Sequence, residues 1–161
     1  MTDNSSIDTS VTNIWRAWRA FRRRKKPSQA IAVFEGNLEI ELLRLAYDLN
    51  TGEYRHGSYD HKIVNEKKRR DIRVAVVRDR VVHRLLYDYL LPLFEPQFDP
   101  DVWSCRPSKG LYGALRRTRA LAGRYASGWV YRADVRKFFD CVDQAVLREA
   151  LARRVMDTAA L

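Results

Sequence analysis

Apolar residues recur every three or four positions along much of this chain, which predicts helices, and alternate in shorter stretches, which predicts strands. "WRAWRAFRRRKK" (15–26) places Trp15, Trp18 and Phe21 at intervals of three, the aromatic stripe of a short helix whose other positions are Arg and Lys. "NLEIELLRLAYDL" (37–49) puts Leu38, Leu42, Leu45 and Leu49 on one face. Asn37 stands where it can cap that helix, and Asn50-Thr51-Gly52 ends it. "RDRVVHRLLYDYLL" (78–91) groups Val82, Leu85, Leu86 and Tyr89 and predicts a helix stopped by Pro92. Further helices are expected over 111–125 and, after an Asp143 cap, from "QAVLREALARRV" almost to Leu161. "EYRHGSYDHKIV" (53–64) and "DIRVAVV" (71–77) read as extended segments joined by the polar "NEKKRR" (65–70), a hairpin with a positive tip. "WVYRADV" (129–135) reads as one more strand. The fold class expected is α+β, helices around a β-hairpin and a further strand, after a polar tail (1–13) expected to be disordered.

Composition narrows this picture. With 161 residues the chain is one ordinary domain or a piece of a larger one, and 46% hydrophobic content is enough for a core. No apolar run is long enough to span a bilayer, and the N-terminus lacks the basic and apolar blocks of a secretory signal. Cys105 and Cys141 show no metal-ligand spacing and read as reduced thiols, so the expected location is cytoplasmic. The balance of 30 Lys+Arg against 20 Asp+Glu, a net +10, points to a polyanionic partner such as nucleic acid. The 15–26 segment fits a helix docking its rings on the body, an arm gripping nucleic acid, or both. A membrane-surface role is disfavoured because the basic character continues along the chain.

Individual motifs are ambiguous. A basic hairpin is commonly only a solvated edge. "RPSKG" (106–110) lacks the glycine spacing of a phosphate loop. Asp79 and Arg80 could form an ion pair at a helix start or touch a template, and His83, one turn on, reads as packing. Phe138 reads as core. Asp140 is no obvious ligand, and Asp143 is most simply a cap.

Taken in order, "FEGNLEIELLRLAYDLNTGEYRHGSYDHKIV", "KKRRDIRVAVVRDRVVHRLLYDYLLPLFEPQF", "WSCRPSKGLYGAL" and "YRADVRKFFDCVD" resemble the reverse transcriptases. The resemblance is to the bacterial branch with group II intron, retron and diversity-generating retroelement enzymes, and it runs from about Trp15 to Leu161. It implies the fingers and the opening of the palm of a right-hand polymerase, with an N-terminal extension and fingers over 14–127 and the palm beginning at 128. It implies an RNA template, a DNA primer, dNTP substrates and two Mg²⁺ ions held by hard oxygen ligands. By the same resemblance Asp134 is the catalytic metal ligand and Val135 lends its carbonyl. Phe139 would lie under the incoming sugar and exclude a 2′-hydroxyl. Lys68 and Arg70 would reach the triphosphate, with Arg69 on the opposite face of the strand. Arg106, Lys109 and Gly110 would meet template or primer phosphates, with Arg116, Arg117 and Arg119 adding charge.

The sequence departs from that family in one respect. The Tyr/Phe-x-Asp-Asp turn carrying the second acidic pair does not occur in these residues, and one carboxylate cannot hold two Mg²⁺ ions. The expectation is an N-terminal part of an RNA-directed DNA polymerase, inactive alone and completed by the missing C-terminal part or an accessory protein. The alternative is a non-catalytic RNA-binding protein derived from a truncated reverse transcriptase, or a remnant that folds poorly. An unfinished palm sheet would leave an apolar face open and make the chain prone to aggregation.

Overall fold

The computed structural model describes residues 6–65 and 69–161. The chain divides into two units, one running to Leu91 and taking in Val155–Leu161, the other Pro92–Arg154.

In the first unit, α1 (Val11–Arg22) is opened by Ser10, whose hydroxyl accepts from Asn13 N at 3.3 Å. The helix thus takes in Val11–Asn13 of the segment read as tail. Its buried face is Ile14, Ala17, Trp18 and Phe21, while Trp15 is 41% exposed. A spacing of three drifts around a helix of 3.6 residues per turn, so only two of the three predicted rings reach the core. A short helix that the pattern did not predict, α2 (Gln29–Gly36), follows the Ser28 cap and buries Ile31 and Phe34. The Trp18 ring lies 5.0 Å from Phe34 and 5.7 Å from Phe21.

Helix α3 (Leu38–Thr51) carries Glu39 and Glu41 in its first turn, beside the positive end of its dipole. Gly52 ends it at φ 72°, a left-handed conformation that glycine adopts without Cβ strain. Asn37 does not cap it with its side chain, contrary to expectation. Asn37 is the single link between α2 and α3: its N–H donates to Phe34 O and its carbonyl accepts from Glu41 N. The N–H bond back to α2 leaves Asn37 at φ −123°, ψ 26°, outside the extended conformation a side-chain cap requires.

Strands β1 (Tyr59–Asn65) and β2 (Arg69–Ala75) pair antiparallel, from Tyr59↔Ala75 to Asn65↔Arg69. Ala75 is buried at the root, and the remainder of the ladder is largely exposed. Helix α4 (Val77–Phe94) buries Val77, Asp79, Val81, Val82, Leu85 and Tyr89. Pro92 lies inside it rather than stopping it. So close to the end, the ring removes only the bond to the Asp88 carbonyl, and the helix closes within the same turn. One core joins α1, α2, α3 and the start of α4, with Ile14, Leu45 and Val81 fully enclosed.

The second unit continues from α4 through a 3₁₀ turn, Glu95–Gln97, to α5 (Leu111–Arg124), the short α6 (Phe138–Cys141) and α7 (Gln144–Ala152). Asp143 caps α7 as expected, accepting from Ala145 N at 2.8 Å and Val146 N at 3.2 Å. Two expectations fail. Helix α7 ends at Ala152, well short of Leu161, and residues 129–135 form no strand. The only sheet among the described residues is the β1–β2 hairpin. Without a neighbouring strand, the 129–135 backbone has no ladder to join and stays hydrated.

Candidate nucleic-acid interface

The interface is built from the hairpin root outward. Asp79, in the first turn of α4, is 1% exposed, and the loop leading into β1 folds over it. Its carboxylate accepts from the Tyr54 hydroxyl at 2.8 Å and the Gly57 N–H at 2.9 Å, with His56 Nδ1 at 3.4 Å. A Cβ on Gly57 would lie 3.2 Å from both Asp79 Oδ2 and Val76 Cγ2, so the close approach of this loop needs glycine. Burial, and then the Asp79 carboxylate, push the Tyr54 phenol well above its ordinary range. Of the two readings of Asp79 and Arg80, the ion pair is absent: Asp79 is a tie between loop and helix, and Arg80 lies over the Phe21 ring at 5.2 Å. Arg78 instead pairs with Asp48 of α3 and covers the Tyr54 ring.

His83 faces His56, Nε2 to Nε2 at 3.3 Å with the rings stacked, and His56 also stacks on Tyr59 at 4.9 Å. One proton serves that contact, since each ring must play a different role. Burial, and then repulsion from His56, hold His83 below the usual histidine range, opposed by Asp79.

On the hairpin, Arg70 is exposed and pairs in register with Val64, beside the Lys62↔Ile72 pair. Alternation puts Arg70 and Lys62 on one face and Arg69 and Arg73 on the other, as expected for Arg69. Lys68 lies outside the described residues.

In the second unit, Arg106 is engaged within the chain. Its Nε donates to Glu95 Oε1 at 2.9 Å, and Nη1 donates to the carbonyls of Asp99 and Val102. The Lys109 ammonium donates to Pro100 O at 2.6 Å and lies 4.2 Å over the Trp103 ring. Both therefore hold the 95–109 loop together. A side chain at Gly110 would meet nothing within 4 Å. On α5, Arg117 makes a two-pronged pair with Asp101, whereas exposed Arg116 has no ion-pair partner among the described residues.

Asp134 and Val135 are exposed in the irregular stretch after α5. Phe139 is 91% exposed and meets Phe138 edge-on at 5.2 Å; Phe138, read as core, is exposed too. No group of three His, Cys, Asp or Glu side chains converges among the described residues. One carboxylate and one carbonyl fall short of the near-octahedral oxygen set Mg²⁺ requires, so these donors do not by themselves fit a metal pair.

Asp79 is the residue whose weight sequence reasoning missed. Its signal was an acid at the start of an apolar helix, with a Tyr and a Gly upstream to supply donors.

No protein-family model matches the chain. It is 25% identical over 130 residues to Protein YkfC of Escherichia coli (strain K12), covering 78% of this chain and 34% of that protein. It is 31% identical over 86 residues to the mitochondrial nuclear intron maturase 1 of Arabidopsis thaliana, covering 53% of this chain and 12% of that protein. The partial likeness is thus to a maturase, a reverse-transcriptase-related protein. The chain spans about a third of the first relative and about an eighth of the second. No helix among the described residues is long and apolar enough to cross a membrane.

Proposed function

We propose that this chain is the RNA-gripping N-terminal portion of an RNA-directed DNA polymerase, and that the task its own residues perform is to bind the template strand. The observation that carries the reading is the Asp79 tie. It joins the "EYRHG" segment to the "RDRVVH" helix start, two stretches far apart in sequence that each resemble a reverse-transcriptase block. The tie roots a hairpin that presents Arg70 and Lys62 to solvent, where they can meet phosphate oxygens. The partial likeness to a maturase supports the same reading.

In this reading Lys68 and Arg70 reach a triphosphate, Phe139 lies against the sugar, and Asp134 with the Val135 carbonyl joins a Mg²⁺ site completed by carboxylates from outside these residues. The Arg116 side of α5 adds charge toward the nucleic-acid backbone. The test is primer extension on an RNA template by the longer protein. Loss of extension in Asp134→Ala with RNA binding unchanged supports the assignment, and normal extension by that variant refutes it.

A second reading, RNA binding without catalysis, is favoured because no group of three His, Cys, Asp or Glu side chains that could hold a metal forms among the described residues. Tight, salt-sensitive RNA binding with no Mg²⁺-dependent extension would select it.

A further inference from the structure

The hairpin is not the only positive surface of the first unit. A groove of about 380 Å³ lies where the C-terminal end of α1 and the turn after it meet α4. Phe21, Arg23, Lys25, Arg80, Arg84 and Tyr87 line it, and no acidic side chain among the described residues does.

Charge is concentrated there, and of its cations only Arg84 has an acid partner among the described residues. The Lys25 ammonium lies 4.9 Å from the Phe21 ring centroid and the Arg80 guanidinium 5.2 Å from the same centroid. Two like charges gathered on one ring repel each other. Arg84 is neutralised by Asp88 and lies over Tyr87, but Arg23, Lys25 and Arg80 have no acid partner among the described residues. Arg80 Nε is also shielded from solvent with no hydrogen-bond acceptor among the described residues, a costly state for a charged donor.

The backbone holds this arrangement in place. Arg24 adopts φ 63°, a left-handed conformation that disfavours a residue with a Cβ. It turns the chain so that Lys25 returns to Phe21. Arg22 braces the turn, donating from Nη1 to Lys25 O at 2.7 Å while its Nε pairs with Glu35 Oε1 at 2.7 Å. A strained residue, held by a dedicated ion pair, gathers cations that repel one another. That cost is offset when an anion enters.

We infer that this groove is a second binding site for single-stranded RNA, with a backbone phosphate between Lys25, Arg23 and Arg80 and an adjoining base against Tyr87. The alternation of cations with aromatic rings is what a sequence-tolerant single-strand site requires, charge for the backbone and a π-face for the base. A membrane surface fits less well, because most of the apolar face of α1 (Ile14, Trp18, Phe21) is already buried and only Val11 and Trp15 stay half-exposed. The inference rests on the RNA-binding reading above.

The test is fluorescence anisotropy of a labelled RNA strand of about 12 nucleotides, within the site size of one such groove, titrated with the whole chain at several salt concentrations. Arg23 and Lys25 are exposed, so Arg23→Gln/Lys25→Gln tests the charge without disturbing the core. Losing the one phosphate held there lowers the salt slope by about 0.7, or roughly 5-fold in affinity near 0.1 M salt. The same strand carrying 4-thiouridine should crosslink to the peptide holding Tyr87. If the parent chain binds and the double variant binds equally well, the groove is refuted while the function stands. If the parent chain binds no RNA, both fall. Binding of free pyrophosphate as tight as that of RNA, or binding of phosphatidylserine vesicles in place of RNA, would also overturn the site.

Discussion

The stretch up to Leu91 and the stretch Pro92–Arg154 have similar amphipathic helices and opposite fates. In the first, Ile14, Trp18, Phe21, Phe34, Leu45 and Val81 close around one another. In the second no residue is buried, and Leu111, Leu115, Trp129, Val130 and Leu147 face solvent. The difference is one of layers rather than of sequence pattern. A helix of 14 residues such as α5, or of 9 such as α7, is marginal alone and becomes stable when its apolar stripe meets another. Helices α1, α2, α3 and α4 find each other; within the second unit the apolar residues of α5 and α7 find no buried partner.

Limited trypsin digestion should show the largest contrast. Cleavage at exposed Arg132, Arg136 and Lys137 is expected orders of magnitude faster than cleavage within α3 or the buried turns of α4, because local opening there costs up to the global stability. Equal rates in both regions, followed by mass spectrometry, would abolish the comparison. Next in size is Leu45→Ala, expected to cost about 2–5 kcal/mol in urea unfolding. The matched Leu115→Ala should stay within about 0.5 kcal/mol. A large Leu115→Ala effect would mean that α5 is packed in solution.

Asp79→Ala sharpens the picture inside the first unit. It removes the acceptor of the half-buried Tyr54 hydroxyl and of the Gly57 N–H, two hydrogen bonds worth about 0.5–1.5 kcal/mol each. Asp79→Asn keeps one acceptor oxygen and should lose less. If Asp79→Ala melts like the parent chain, the tie is not structural. Gly113→Ala is the counterpart in the second unit. Its Cβ would lie 2.5 Å from the Trp103 ring, so it should displace that ring and shift its fluorescence while the main melt is unchanged. The smallest effect is that of pH. With His83 held below its ordinary value, the unfolded state binds more protons between the depressed value and about 6.5. Stability is therefore complete above that window and falls as pH drops through it. His83→Asn should flatten this dependence in melts taken at successive pH values.

Much of the local structure in both units was legible. The Leu42 and Leu45 stripe, the Gly52 stop, the grouping of Val82, Leu85 and Tyr89 and the Asp143 cap are local patterns that the structure follows. Errors arose where a second element intervened. Asn37 is constrained by α2 as well as α3, Trp15 falls off the packed face, and Pro92 lies too near the end of α4 to stop it. In the site, the exposure of Arg70 followed from its place on a hairpin. The commitment of Arg106 to Glu95 and of Lys109 to Pro100 did not, because those partners are set by how a proline-rich loop folds back.

Periodicity, caps and charge are properties of neighbouring residues, so the sequence by itself determined most of the segments that coil (α2 excepted), which way their apolar faces point, and that the surface is basic. Whether a face is covered depends on residues far along the chain. Only the tertiary structure decided that Asp79 is a buried tie, that Lys25 and Arg80 share one ring, and that "WVYRADV" has no strand beside it. A carboxylate's partners, a cation's neighbours and a strand's ladder all come from folding distant segments together, and none of them is a local property.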